Sequence, residues 1–149
     1  MAQLSTKLRI MSLALALTII SLGDLYGADW KVLSESKRGL FYYDRDSFTH
    51  PANDVVRAWV AVYPSENLIS RIEDLFGDKF GALGYWLELV EINCRKRIIS
   101  LRSQECYSSD GAYIGSFFGK FPTLWQQIER LDIEWSVLGT QLLEGLCNK

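Results

Sequence analysis

The sequence predicts an α+β domain, an antiparallel β-sheet of about six strands with a C-terminal helix packed on one face. Three observations carry that reading. Apolar and polar residues alternate through 55–63 and 86–94, the period of a half-buried strand. Asp110-Gly111 lies between two extended runs and accepts the positive φ that a tight hairpin needs. Near the end, Trp135, Leu138, Leu142 and Leu146 return at helical spacing.

The elements follow in order. Lys7 and Arg9 precede an apolar run over 10–22, and Gly23, Gly27 and Ala28 follow it. That is the order of a secretory signal, and the run falls short of the roughly 20 residues that span a bilayer. Residues 1–28 are therefore read as a signal peptide and 29–149 as one domain. Cleavage after Gly27 or Ala28 fits best, with Gly23 the other option. No cysteine lies near the exit, so a lipid anchor is not expected.

Residues 30–33 read as a strand, Lys37-Arg38-Gly39 as a turn and 40–43 as an aromatic strand. Residues 44–53 collect Asp, Ser, Thr, Pro and Asn and read as a loop. Over 55–63, Val56, Ala58, Val60 and Val62 share one face, with Arg57, Trp59 and Tyr63 on the other. Leu68, Ile69, Ile72, Leu75 and Phe76 then switch to helical spacing, between Ser65 as cap and Gly77 as stop. Three glycines over 77–84 suggest a mobile connection. In 86–94, Trp86, Val90, Ile92 and Cys94 share a parity that Glu88 breaks. Arg95-Lys96-Arg97 turns the chain into a strand over 98–107, Ser109-Asp110-Gly111 forms a hairpin, and 112–118 returns. Pro122 ends the sheet region. Residues 125–128 begin helical chain, and Asp132 can cap the last helix, with Cys147 at the edge of its apolar face.

Removing the signal leaves 121 residues carrying three more acidic than basic side chains. An acidic balance argues against a general nucleic-acid binder. With 48% apolar and 13% aromatic residues the domain can fill a core, and no second long apolar run suggests a membrane span. An exported chain keeps disulfides, and its three cysteines Cys94, Cys106 and Cys147 allow one structural bridge. The third is spare unless it joins two chains, so a homodimer is compatible with the sequence. No C-x-x-C pair is present for redox, zinc or haem chemistry, and no cofactor is implied.

Few constellations suggest chemistry. His50, the only histidine, sits in Phe48-Thr49-His50-Pro51, and no G-x-S-x-G elbow accompanies it. Asp44 and Asp46 fit turn formation better than an acid–base pair or a calcium loop. The glycines at 77, 81 and 84 lack the lysine and context of a phosphate loop. Five tryptophans fit core packing better than a sugar platform. The best candidate for a binding surface is Arg95, Lys96 and Arg97 with Arg102 nearby, which could steer sulfated glycans or acidic partners. The plainer reading of that knot is a solvated hairpin tip.

A set of spaced anchors resembles the surface-adhesin protein E family of bacterial secreted proteins. They are Trp30, Tyr43-Asp44 with Ser47-Phe48, Val56-Arg57-x-Trp59-Val60, Glu91-Ile92-Asn93-Cys94, Tyr107 with Gly111, Trp125-x-x-Ile128 and Cys147. The resemblance covers roughly 30–147. It departs at Glu129-Arg130-Leu131-Asp132, where relatives often carry Pro-Gly-Ser, and in the extra Cys106. It implies a C-terminal helix tied to the sheet by Cys94–Cys147. On the proposed hairpin, Cys106 lies about eight residues beyond the turn, roughly 26 Å from Cys94, too far to bridge it. Cys147 is then left to Cys94 or Cys106, and the apolar parity of Cys94, with its family match, selects Cys94.

The resemblance implies an exported, non-catalytic binding module that recognises a protein or glycan at the surface of a bacterial cell. A periplasmic accessory or structural protein binding an envelope component is the alternative.

Overall fold

The structure, a computed structural model, describes residues 28–120, 123–131 and 135–148. Residues 1–27 of the signal expected over 1–28, Pro122 and the Asp132 cap lie outside the described residues. Among those described, seven strands form one antiparallel sheet: β1 (Trp30–Ser36), β2 (Gly39–Asp44), β3 (Thr49–Ala52), β4 (Val55–Pro64), β5 (Leu83–Asn93), β6 (Ile98–Ser108) and β7 (Tyr113–Gly115). The order is β1-β2-β4-β5-β6-β7, with β3 also paired to β4. The described helices are α1 (Glu66–Phe76), α2 (Leu124–Arg130) and α3 (Trp135–Cys147).

The period-two pattern of β4 and β5 becomes the core. Val56, Ala58, Val60 and Val62 are buried beside Trp86, Val90 and Ile92. Each helix lays an apolar stripe into the same cluster: Leu68, Ile72 and Phe76 from α1, Leu124 and Ile128 from α2, and Leu138, Leu142 and Leu146 from α3. At about 1.5–3 kcal/mol for each large side chain, this burial is the main force holding the layers together. Helix α1 begins and ends where its sequence says. The Ser65 hydroxyl accepts from Leu68 N, and Gly77 closes the helix at φ 108°, a region open to glycine. Gly145 lets α3 lie close to β1 and β2, since a Cβ there would stand 3.2 Å from Leu33 Cδ1.

The hairpin between β5 and β6 pairs Asn93 with Ile98 and Trp86 with Cys106. Cys94 therefore points to the helices at the turn, and it is bonded to Cys147 with 5.6 Å between Cα atoms.

The structure differs from the sequence reading in four places. The 44–53 segment is not all loop, because β3 adds a short strand whose Pro51 is accommodated at the sheet margin. The glycine-rich connection is a 3₁₀ turn over Asp78–Ala82, pinned by the buried Phe80. The last strand stops at Gly115, after which Phe117 drops into the core. Finally, β6 carries a bulge: Leu89 faces Ser103, but Val90 faces Leu101, leaving Arg102 extra. A bulge reverses the alternation beyond it. Ile99 and Leu101 thus share the core face with Gln104 and Cys106, and all four are buried.

Candidate binding surface

The face opposite the helices is built in rows across β4, β5 and β6. Arg57, Glu91 and Ser100 align, then Trp59, Leu89 and Ser103, then Ala61, Leu87 and Glu105. The next row is aromatic. Tyr63 stacks on Tyr85 at 5.5 Å between ring centroids, and Tyr85 on Tyr107 at 5.1 Å. Tyr42 on β2 and Tyr113 on β7 extend it edge-on, at 5.7 and 5.8 Å. Same-face neighbours on paired strands stand about 5 Å apart, so one parity on five strands is enough to produce the row. The stacked planes differ by only 27° and 13°, so the inner rings stand upright and present edges to solvent.

Where this row meets β1 and β2, Trp30, Leu40, Tyr42 and Tyr63 wall a hollow of about 300 Å³ with Ala61 also lining it. Trp30 is 38% and Tyr63 46% exposed, unusual for large aromatic residues. At the other end of the face, Glu91 bonds both Arg57 at 2.6 Å and Arg102 at 2.7 Å. The two guanidinium groups hold the Glu91 carboxyl below its ordinary range. This leaves one surplus positive charge at this end of the face, whereas Glu105, in the Ala61 row, accepts from the Tyr107 hydroxyl at 2.6 Å.

The predicted basic knot is divided. Arg95, Lys96 and Arg97 are exposed at the tip of the β5–β6 hairpin, where Lys96 N donates to Asn93 Oδ1 at 2.8 Å. Arg97 has φ 56°, a left-handed turn conformation, and borders a hollow beside the Cys94–Cys147 bridge with Glu144 and Asn148. Arg102 is turned to Glu91 on the helix-free face.

Among the described residues, Glu88 and Cys106 are titratable groups inside the core. Glu88 is 5% exposed and its Oε1 accepts from Trp86 Nε1 at 2.8 Å and Gln104 Nε2 at 3.0 Å. Burial pushes its carboxyl up to about 7, while the bonds from Gln104 and Trp86 pull it back. Cys106, directly across from Trp86, is fully buried. Burial first, and the Glu88 charge second, push its thiol up to about 12. A thiol so rarely ionised is a poor nucleophile. Ellman's reagent is therefore expected to find no reactive thiol in the native protein and one per chain in denaturant. A fast native reaction would contradict this burial.

The other sequence candidates form no site. His50 is exposed on β3. Asp44 Oδ1 accepts from Asp29 N and Asp46 N, both at 3.0 Å, the work of a turn former. A hollow of about 440 Å³ mixes Ser34, Ser36, Lys37, Arg38 and Asn67 with Val137 and Leu138, and among the described residues no carboxylate, histidine or thiol lines it. Among the described residues no three His, Cys, Asp or Glu converge as metal ligands, and no helix is long and apolar enough to cross a membrane.

In the sequence the five tryptophans stand out, and the tyrosines that build this face do not. Their signal was recoverable only with the register, because Tyr63, Tyr85 and Tyr107 form a row when their strands are aligned. No protein-family model, curated protein or solved structure matches this chain.

Proposed function

We propose that this protein is an exported, non-catalytic binding module of the surface-adhesin E kind, and that it recognises a macromolecular partner through the helix-free face of its sheet. The row of five tyrosines beside an apolar hollow carries this reading. Contiguous exposed apolar surface on a folded domain marks an interaction site, and Tyr, Trp and Arg are the residue types that concentrate binding energy. The signal-like order of residues 1–28 supports the exported address, and the anchors from Trp30 to Cys147 support the family.

The test is retention of immobilised matrix proteins and sulfated glycans by the mature domain. At least one is expected to be held more strongly than by a charge-matched control protein; retention of every ligand no greater than the control's would refute the reading. Location is tested apart, by treating whole cells with protease. A surface module is cleaved, whereas survival of the intact chain favours the periplasmic alternative.

A further inference from the structure

We infer that the hollow at Ala61 anchors one aromatic or branched apolar side chain of a polypeptide, whose carboxylate about 13 Å away meets Arg57 and Arg102. This deepens the reading of the helix-free face as the binding surface and rests on it.

The hollow's size and lining select the anchor. At about 300 Å³ it lies at the lower end of ligand sites, suited to one side chain more than to a run of sugar rings. Trp30, Leu40, Tyr42, Ala61 and Tyr63 offer it carbon surface. Their only side-chain polar groups are the two Tyr hydroxyls and the Trp30 indole N–H. A sugar brings several hydroxyls, and each one buried without a partner opposes binding. Sugars also bind by lying flat on aromatic rings, and here Tyr63 has one face closed by Tyr85, as Tyr85 has by Tyr107. A partner's aromatic or branched side chain needs none of those hydrogen bonds.

Charge selects the second contact. Two guanidinium groups share the single Glu91 carboxylate, and their side chains remain 35% and 52% exposed. Arg57 and Ala61 lie on the same face of β4, four residues apart, which is about 13 Å along a strand. An extended segment spans that distance in four residues, so anchor and carboxylate stand four positions apart in the partner. Trp59 lies between them on the same face and covers the intervening residues.

The probes are N-acetyl-tryptophan amide, cellobiose, a heparin disaccharide, and two acetylated peptides, Trp-Ser-Thr-Ser-Glu and its reverse, each also made with Lys for Glu. They are titrated into isotope-labelled mature protein and followed by NMR. The expected result is saturable shifts at Ala61, Tyr42 and Tyr63 from the amide, with a dissociation constant on the order of millimolar. At least one Glu peptide should bind about 5-fold tighter than its Lys counterpart at low salt, a difference that Arg57→Gln and added salt both reduce. Trp30→Ser and Tyr63→Ser, at exposed positions, should each weaken the amide while leaving the circular dichroism unchanged. Shifts of the hollow by either saccharide but not by the amide would overturn the polypeptide assignment and leave the face as a glycan site. Silence of the hollow toward every probe would also overturn it. If Tyr107→Ser then still abolished retention of the panel ligand, the face would stand as the binding surface; if retention were unchanged, that reading would fall too.

Discussion

Replacing Cys94 and Cys147 together by serine is expected to lower the unfolding free energy by about 4 kcal/mol. The bridge closes a loop across a sequence separation of 53, and most of its effect is the chain entropy it removes from the unfolded state. In a domain of this size that is a fall in melting temperature of about 15 °C. The native fold should survive, because Leu138, Leu142 and Leu146 still bury α3 against the sheet. The helix loses its terminal tether, however, so amide exchange in α3 should rise more than in β4 or β5. Denaturant titration of the variant checks the magnitude. A loss below about 1 kcal/mol would mean that the unfolded chain keeps this loop closed without the bond.

Glu88→Gln is expected to stabilise the protein at neutral and alkaline pH by up to about 3 kcal/mol. The carboxyl titrates near 7 in the fold against 4.5 when free, so the folded state favours its protonated form. The group therefore supports the fold fully below its free value. That support is lost as pH rises through about 7, where the carboxylate must ionise among Trp86, Gln104 and Cys106. Both hydrogen bonds converge on Oε1, and a glutamine oxygen can accept the same two. The substitution thus keeps the network and removes the titration. Unfolding curves for both proteins between pH 4.5 and 8.5 should diverge as pH rises, the wild type falling relative to the variant. Parallel curves would place the Glu88 titration outside the transition.

These two residues also show what the sequence made legible. Cys94 shared parity with Val90 and Ile92, so its direction toward the helices could be read, and the bridge to Cys147 is present. The helix over Glu66–Phe76 was equally plain, because Ser65, the 3.6-residue repeat and Gly77 all mark it. Glu88 was visible as a break in an apolar face, but the two donors that accept it into the core come from the alignment of β5 with β6. Cys106 was obscured by the bulge at Arg102: strict alternation put it with Ser100 and Arg102, and one inserted residue moved it into the core. Bulges shift parity through backbone geometry that composition does not encode. The binding surface was the least legible part, since a row across strands depends on non-local pairing and each tyrosine alone resembles an ordinary strand residue. Charge drew attention to Arg95, Lys96 and Arg97, where consecutive residues make a visible run at a solvated turn.

The most direct test of the account sets the helix-free face against that basic tip. One variant carries Tyr63→Ser with Tyr107→Ser; the other carries Arg95, Lys96 and Arg97 changed to glutamine. Affinity is measured by calorimetry at physiological salt for whichever matrix protein or glycan the wild type retains best. A loss of about 30-fold or more is expected for the tyrosine variant, the scale of removing interface anchors. The tip variant should lose less than about 3-fold, as exposed and screened charges do. A large loss at the tip with unchanged binding by the tyrosine variant would contradict the assignment of the face.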